Sequence, residues 1–489
     1  MLHQYHGRKN RLIGKPCNIS RLKVSEVIQL KNRTKIIKYA YLSLFSLICL
    51  YLLYFNLFES RLIYSNSYNR RLRESSGNVI RGSILDKNGE ILAKSTKYKA
   101  GVKRTYAYPR YFSHVIGYSS EKYGSSGLEA LYNKELMSAS DTMEDLRSKI
   151  NDYYIKGSNI VLTMDRSLQV YASDLLRGKK GAIVVLRPGT GEILAMASKP
   201  DFDPSGIQNN WESLINDKNS PLLNRASEGL YPPGSIFKLV IASSILANNL
   251  QDNEIECTGE VNVDGYTIKD SEGKSHGSIT LGDALKYSCN SYFIKQGLKL
   301  GNTNLYNEAA KFRLNKKVQT DIKVSESVFP SGKDSRSIAQ QSIGQGEVLM
   351  TPLHAAMIAA AIANDGIMMR PYVVSSIRDG ENKIIKEFKP KQIARIMNQN
   401  TADIITGMMI ETVESGTGTR AKVSKVDVAG KTGTAEVGGN QKSHAWFVGF
   451  APADSPQVAI AVLIENGGGG GSAAAPIASK VLKKAFSIK

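Results

Sequence analysis

The apolar positions fall into two regimes. Residues 39–58 form one run of about twenty residues without a charge, Asn56 being its most polar member. That length crosses a bilayer, and the lack of a polar face argues against a buried or surface helix. Further on, apolar positions come in short runs. Residues 79–93 read as a hairpin with Asp86-Lys87-Asn88-Gly89 as its turn, and 142–152 as a helix. Residues 181–186 and 192–198 are β-rich and joined by Pro188-Gly189-Thr190-Gly191, a second hairpin. A long helical stretch with loops between its parts runs from 235 to about 363. Strands return at 428–435, 445–450 and 458–465, and a helix at 473–486 closes the chain. Strands at both ends with helices between predict an α+β fold, one antiparallel sheet covered by helices.

Charge orients this arrangement. The 489 residues allow about three domains. Net charge is +20, and residues 1–38 hold ten Lys/Arg against one acid, Glu26. The basic cluster flanks the apolar run on one side only, which places the N-terminus in the cytoplasm and the bulk of the chain outside. The run is too long for a cleaved signal peptide, and no small-x-small site follows it. Nucleic-acid binding is disfavoured, because the basic cluster abuts an apolar span and lacks interleaved aromatics. Of four cysteines, Cys17 would be cytosolic, Cys49 in the membrane, and Cys257 and Cys289 outside. Their spacing resembles no metal site, Cys289 is expected to be a free thiol, and no cofactor is expected.

The chemistry lies in three short motifs in fixed order: Ser235-Ile236-Phe237-Lys238, Ser288-Cys289-Asn290 and Lys431-Thr432-Gly433. Each alone is common. Ser-x-x-Lys also begins at Ser20, Ser119 and Ser271, and Ser-x-Asn at Ser67 and Ser76. The context of Ser235 is specific: it follows Pro232-Pro233-Gly234 and opens an apolar helical run. Lys238 is then one turn away on the same face, where its amine reaches the hydroxyl. A serine needs a base to become a nucleophile. A lysine serves as that base when burial or nearby positive charge lowers its pKa, and Lys431 would supply such a charge. Ser288 would relay a proton, and Asn290 would hold Lys238 or the substrate amide. Gly433 lets a substrate backbone lie against its strand, and the N–H groups of Ser235 and Thr434 are candidates for the oxyanion hole.

These motifs resemble those of class B penicillin-binding proteins, monofunctional peptidoglycan transpeptidases. The resemblance covers nearly everything after residue 60. It includes Arg81-Gly82-Ser83 through Gly89, Gly127-Leu128-Glu129 with Tyr132, and Gly191 through Ser198 followed by Asp203-Pro204. Gly344-Gln345-Gly346, Thr351-Pro352, Gly416-Thr417-Gly418 and His444-Ala445-Trp446-Phe447 fit as well. The resemblance implies a five-stranded antiparallel sheet beside a helical subdomain, with the site in the cleft between them. It implies catalytic Ser235, Lys238, Ser288, Asn290 and Lys431 and substrate-binding Thr432, Gly433 and Thr434, the terminal carboxylate being held by Lys431, Thr432 and Thr434. Peptidoglycan stem peptides and β-lactams are the implied ligands, and a polytopic membrane glycosyltransferase the implied partner.

The expected layout is a basic tail at 1–38, a transmembrane helix at 39–58, a pedestal at 59–156 and a transpeptidase domain at 157–489. A β-lactamase of the same fold is disfavoured, since no Glu-x-x-Leu-Asn pattern follows Ser288. A D,D-carboxypeptidase, or a non-enzymatic sensor of β-lactams or wall fragments, stays open as an alternative. The five glycines at 467–471 have no reading from sequence.

Overall fold

The computed structural model describes residues 19–55, 79–98, 101–137, 155–251, 254–332, 334–439 and 441–487. The helix expected at 142–152 and the last residues of the apolar run, 56–58, lie outside them. The chain divides into two units, Met1–Ile63 and Tyr64–Lys489.

The first unit is helix α1 (Ile19–Tyr54). Its segment Arg33–Tyr54, 22 residues of mean hydropathy 1.9, is long and apolar enough to cross a membrane. Phe45, Leu50 and Leu52 are exposed along it, the kind of apolar surface that lipid covers.

The second unit opens with the expected hairpin, β1 (Ile84–Leu85) against β2 (Ile91–Tyr98). The Asp86 carboxylate accepts the N–H groups of Asn88 and Glu90 at 2.8 and 2.9 Å, which closes the turn. The hairpin is shorter than its sequence suggests, for Val79–Ile80 pairs in parallel with Ile155–Lys156. Next come β3 (Gly101–Tyr106), β4 (Asn159–Leu162), β5 (Gly181–Leu186) and β6 (Ile193–Lys199). Helices α2 (Lys238–Ala247), α3 (Leu281–Tyr287), α4 (Asn290–Lys311) and α5 (Pro352–Ile362) follow. The remaining elements are β7 (Val374–Arg378), β8 (Ile384–Glu387), α6 (Gln399–Ser415), β9 (Ala429–Ala435), β10 (His444–Ala451), β11 (Val458–Ile464) and α7 (Ala475–Ser487).

Five strands build the central sheet in the order β6-β5-β11-β10-β9, every neighbour antiparallel. All residues of β5 and β11 are buried, because helices cover both faces. Side chains alternate between them. Val184, Ala461 and Leu463 join a core with α5, while Ile183, Val185, Ile460 and Val462 pack with Val481 and Leu482 of α7. Sheet and helices stand as the sequence predicts.

A second sheet runs β8-β7-β4-β1-β2-β3. It draws strands from both sides of residue 157, joining the N-terminal hairpin to β7 and β8 from far along the chain. Two of the resemblance blocks meet beside it. Buried Glu129 takes Arg81 Nε at 2.5 Å on one oxygen and Arg104 Nε at 2.8 Å on the other. Burial disfavours the charge of Glu129, but the two guanidiniums win and hold its pKa below the ordinary value. Gly82 is required there, since a Cβ would lie 2.0 Å from the Ser158 carbonyl oxygen.

Two sequence expectations are corrected. The stretch 235–363 is not helices and loops alone: Ile255–Cys257 pairs with Gly277–Ile279, and Glu260–Val263 with Tyr266–Lys269. Strands β7 and β8 are also additional. Such strands are three to five residues long, and β8 is exposed throughout, so each is too short for its apolar pattern to mark it.

Candidate active site

Ser235 lies in a 3-10 turn, Gly234–Phe237, that runs directly into α2. Gly234 has φ +55°, and a Cβ there would meet Thr434 O at 2.7 Å. Glycine therefore lets the nucleophile turn press against β9, the edge strand carrying Lys431. The turn is framed from outside. Trp446 Nε1 donates to Pro232 O at 3.0 Å, and Gly234 N to Gly344 O at 2.9 Å. Glu465 accepts both Tyr231 Oη and Arg225 Nε at 2.7 Å. None of these framing roles is legible from a short motif.

Lys238 is fully buried one turn after Ser235. Its Nζ donates to Ser288 O at 2.6 Å and to Asn290 Oδ1 at 2.8 Å, and lies 3.4 Å from Ser288 Oγ. Burial lowers its pKa from the usual lysine value to about 8, against the partial opposition of Cys289 and Asp270. A neutral amine has two N–H donors and one lone pair. The neutral form, which burial favours, is therefore the one able to take a serine proton.

Lys431 is also fully buried, and its Nζ donates to Ser288 Oγ and Thr432 O, each at 2.9 Å. Burial first, and then repulsion from Lys238, push its pKa well down. The charge relation read from sequence is thus revised. Burial is the leading cause at Lys238, and the like-charge repulsion falls on Lys431. Ser288 sits between the amines in a left-handed conformation, φ +61°, at the end of α3, and so forms the bridge Lys238–Ser288–Lys431.

The Ser-x-Asn turn is held from below. Asp270 accepts the N–H groups of Asn290 and Ser291 and, at 2.5 Å, the Ser291 hydroxyl, capping α4. Burial opposes its charge, yet these bonds keep its pKa low. Asn290 Nδ2 donates to Lys269 O at 2.8 Å, which aims the amide oxygen at Lys238. On β9, Thr432 Oγ1 lies 2.6 Å from Thr417 Oγ1, and Thr434 Oγ1 accepts Gly470 N–H at 3.3 Å. All eight residues named from sequence thus gather in one place.

Behind Asn290 the fold assembles four donors: Cys257, Asp270, His276 and Cys289, with ligand atoms within 4.8 Å of one another. Cys257 Sγ is 3.4 Å from Cys289 Sγ, 3.2 Å from His276 Nδ1 and 3.4 Å from Asp270 Oδ2. Both thiols are free, as expected at Cys289. Two thiolates, an imidazole and a carboxylate are a donor set that could hold a tetrahedral ion of the zinc type. Sequence spacing hides this quartet because two small hairpins bring it together.

Comparison with known proteins agrees with this geometry. Residues 181–483 match the penicillin binding protein transpeptidase domain, and 81–160 the penicillin binding protein A dimerisation domain. The peptidoglycan D,D-transpeptidase PbpA of Mycolicibacterium smegmatis is 33% identical over 416 residues, covering 79% of this chain and 84% of that protein. The peptidoglycan D,D-transpeptidase MrdA of Acinetobacter baumannii is 30% identical over 450 residues, 78% of this chain and 66% of that one. The structure of penicillin-binding protein A from M. tuberculosis as a ceftriaxone acyl-enzyme superposes with a TM-score of 0.80 at 32% identity, covering 84% of this chain and 99% of that chain. On its motifs, its sheet and these matches, the chain belongs to the penicillin-binding transpeptidase family.

Proposed function

We propose that this chain is a peptidoglycan D,D-transpeptidase of the cell wall, acting through an acyl-enzyme on Ser235. The observation that carries the reading is the fully buried Lys238 amine, held by Ser288 O and Asn290 Oδ1 one turn after Ser235. Lys238 takes the Ser235 proton as Oγ attacks the penultimate D-alanine carbonyl of a stem peptide. The negative oxygen forms against the N–H groups of Ser235 and Thr434. Collapse breaks the peptide bond, and the departing D-alanine nitrogen receives a proton through Ser288. An amine from a second stem then attacks the ester, forms the cross-link and frees Ser235. Thr432 and Thr434 bind the terminal carboxylate, with Gly433 giving the substrate backbone room. A β-lactam presents a strained amide in the same place and stays attached as the ester.

The chain cross-links glycan strands and depends on a polytopic membrane glycosyltransferase to make them. About a hundred residues, 59–156, lie between the apolar run and the transpeptidase domain, too few for the separate glycosyltransferase domain of bifunctional relatives. Purified protein given lipid-linked precursor alone is expected to leave it unpolymerised. Given preformed strands, it is expected to release D-alanine and join stems through an amine. Release with water as sole acceptor would make it a carboxypeptidase, and glycan polymer without a co-purified partner would refute the division of labour.

The anchor is oriented by its basic flank, with residues 1–38 in the cytoplasm and the catalytic domain outside. Protease added to intact cells lacking an outer barrier is expected to digest the chain after residue 60 and spare the tail. A protected catalytic domain would reverse this topology.

A further inference from the structure

The five glycines at 467–471 connect β11 to α7. Their need for glycine is uneven. A Cβ on Gly469 would meet only the Ser472 hydroxyl, at 3.2 Å. On Gly470 it would lie 2.3 Å from both Gly433 O and Trp446 O, which are main-chain atoms that cannot step aside. Gly470 is buried against the middle of the Lys431 strand, and there its N–H donates to Thr434 Oγ1 at 3.3 Å. Gly471 is tight as well, with a Cβ at 2.5 Å from Thr417 O, and Thr417 bonds the Thr432 hydroxyl.

A threonine hydroxyl has one proton to give and two lone pairs to receive with. The Gly470 N–H occupies a lone pair of Thr434. The hydroxyl proton is therefore directed away from Gly470, and Thr434 is the one exposed residue of β9. Residues 432 and 434 share one face of β9, and each hydroxyl is held by one bond from outside the sheet. Held this way, Thr434 offers a donor to an arriving anion.

We propose that Gly470 is a positioning residue whose main-chain N–H sets the direction of the Thr434 hydroxyl, so that the site selects ligands ending in a carboxylate over neutral ones. Only glycine brings that N–H close enough. The inference rests on the transpeptidase reading of the site, because the anion it serves is the carboxylate of the stem peptide or of penicillin. It assigns Gly470 no part in bond making or breaking.

The test compares acylation by benzylpenicillin with acylation by its uncharged methyl ester, in the full-length protein. Wild type is expected to favour the acid. In Gly470→Ala that preference falls about tenfold through weaker binding of the acid, with the maximal acylation rate kept, as loss of an oriented hydrogen bond to a charged group predicts. Gly469→Ala keeps the wild-type preference. Thr434→Val loses the same preference, and the double variant loses no more, because both changes break one interaction. An equal loss for acid and ester would mean a merely structural glycine and overturn the proposal, as would additive losses. Should Gly470→Ala fail to fold, hydrogen exchange at the Gly470 amide is the second readout. Exchange is faster in Thr434→Val if the bond exists, and unchanged exchange overturns it. If neither compound labels the wild type, it is the transpeptidase reading that fails instead.

Discussion

Incubated with penicillin, the wild-type protein is expected to carry a stable adduct on Ser235, and the Ser235→Ala variant none. The turn Gly234–Phe237 leaves this hydroxyl half-buried, with the buried Lys238 one turn further along the chain. Other serines in the site are engaged otherwise. Ser288 Oγ accepts from Lys431 at 2.9 Å, and Ser291 Oγ donates to Asp270. Neither combines a free hydroxyl with a base on the next helical turn. The substitution removes one oxygen from a half-buried position, so the fold should persist and labelling should vanish entirely. Intact mass with peptide mapping decides it. An adduct surviving in Ser235→Ala, or mapped to another serine, would end the assignment.

How much of this was readable beforehand depends on what each element buries. Strands β5 and β11 are apolar at nearly every position because helices cover both faces, so their sequences mark them. The three motifs could be read because the chemistry restricts residue type at fixed local spacing. What supports them was hidden. Glu465 holds Tyr231 and Arg225 from more than two hundred residues away, and Asp270 reaches the Ser-x-Asn turn through a small polar hairpin. Each is a single side chain placed by tertiary contact, with no periodicity to signal it. Strand β8 was lost for the opposite reason to β5: all four residues are exposed, and edge pairing alone makes it a strand. The glycine run was visible but mute, since which glycine must be one depends on the main-chain atoms opposite.

Replacing Lys238 with alanine is expected to slow acylation by about a hundredfold to ten-thousandfold, the usual worth of a general base, while leaving initial penicillin binding nearly intact. The reason lies in the amine's protonation. Burial brings its pKa to about 8, the charged form being the one that desolvation penalises. The base works only when neutral. Acylation by wild type should therefore be slow at acid pH, rise as pH passes through about 8, and level off above it. At pH 7 about one molecule in ten carries the free amine, enough for turnover. Carboxylates buried in the site would give the opposite slope if protonated forms were needed, so the direction itself is diagnostic. The Lys238→Ala variant should lose both the rate and the rise near pH 8, since the group responsible for each is the same. Lys431 cannot substitute. Its amine contacts the relay Ser288 and its own strand at Thr432 O, and it does not stand one turn after Ser235 on the nucleophile's helix. Stopped-flow acylation across pH, in wild type and variant, measures both features together. A variant that acylates at the wild-type rate, or one that is slow yet keeps the same inflection, would move the base to another residue.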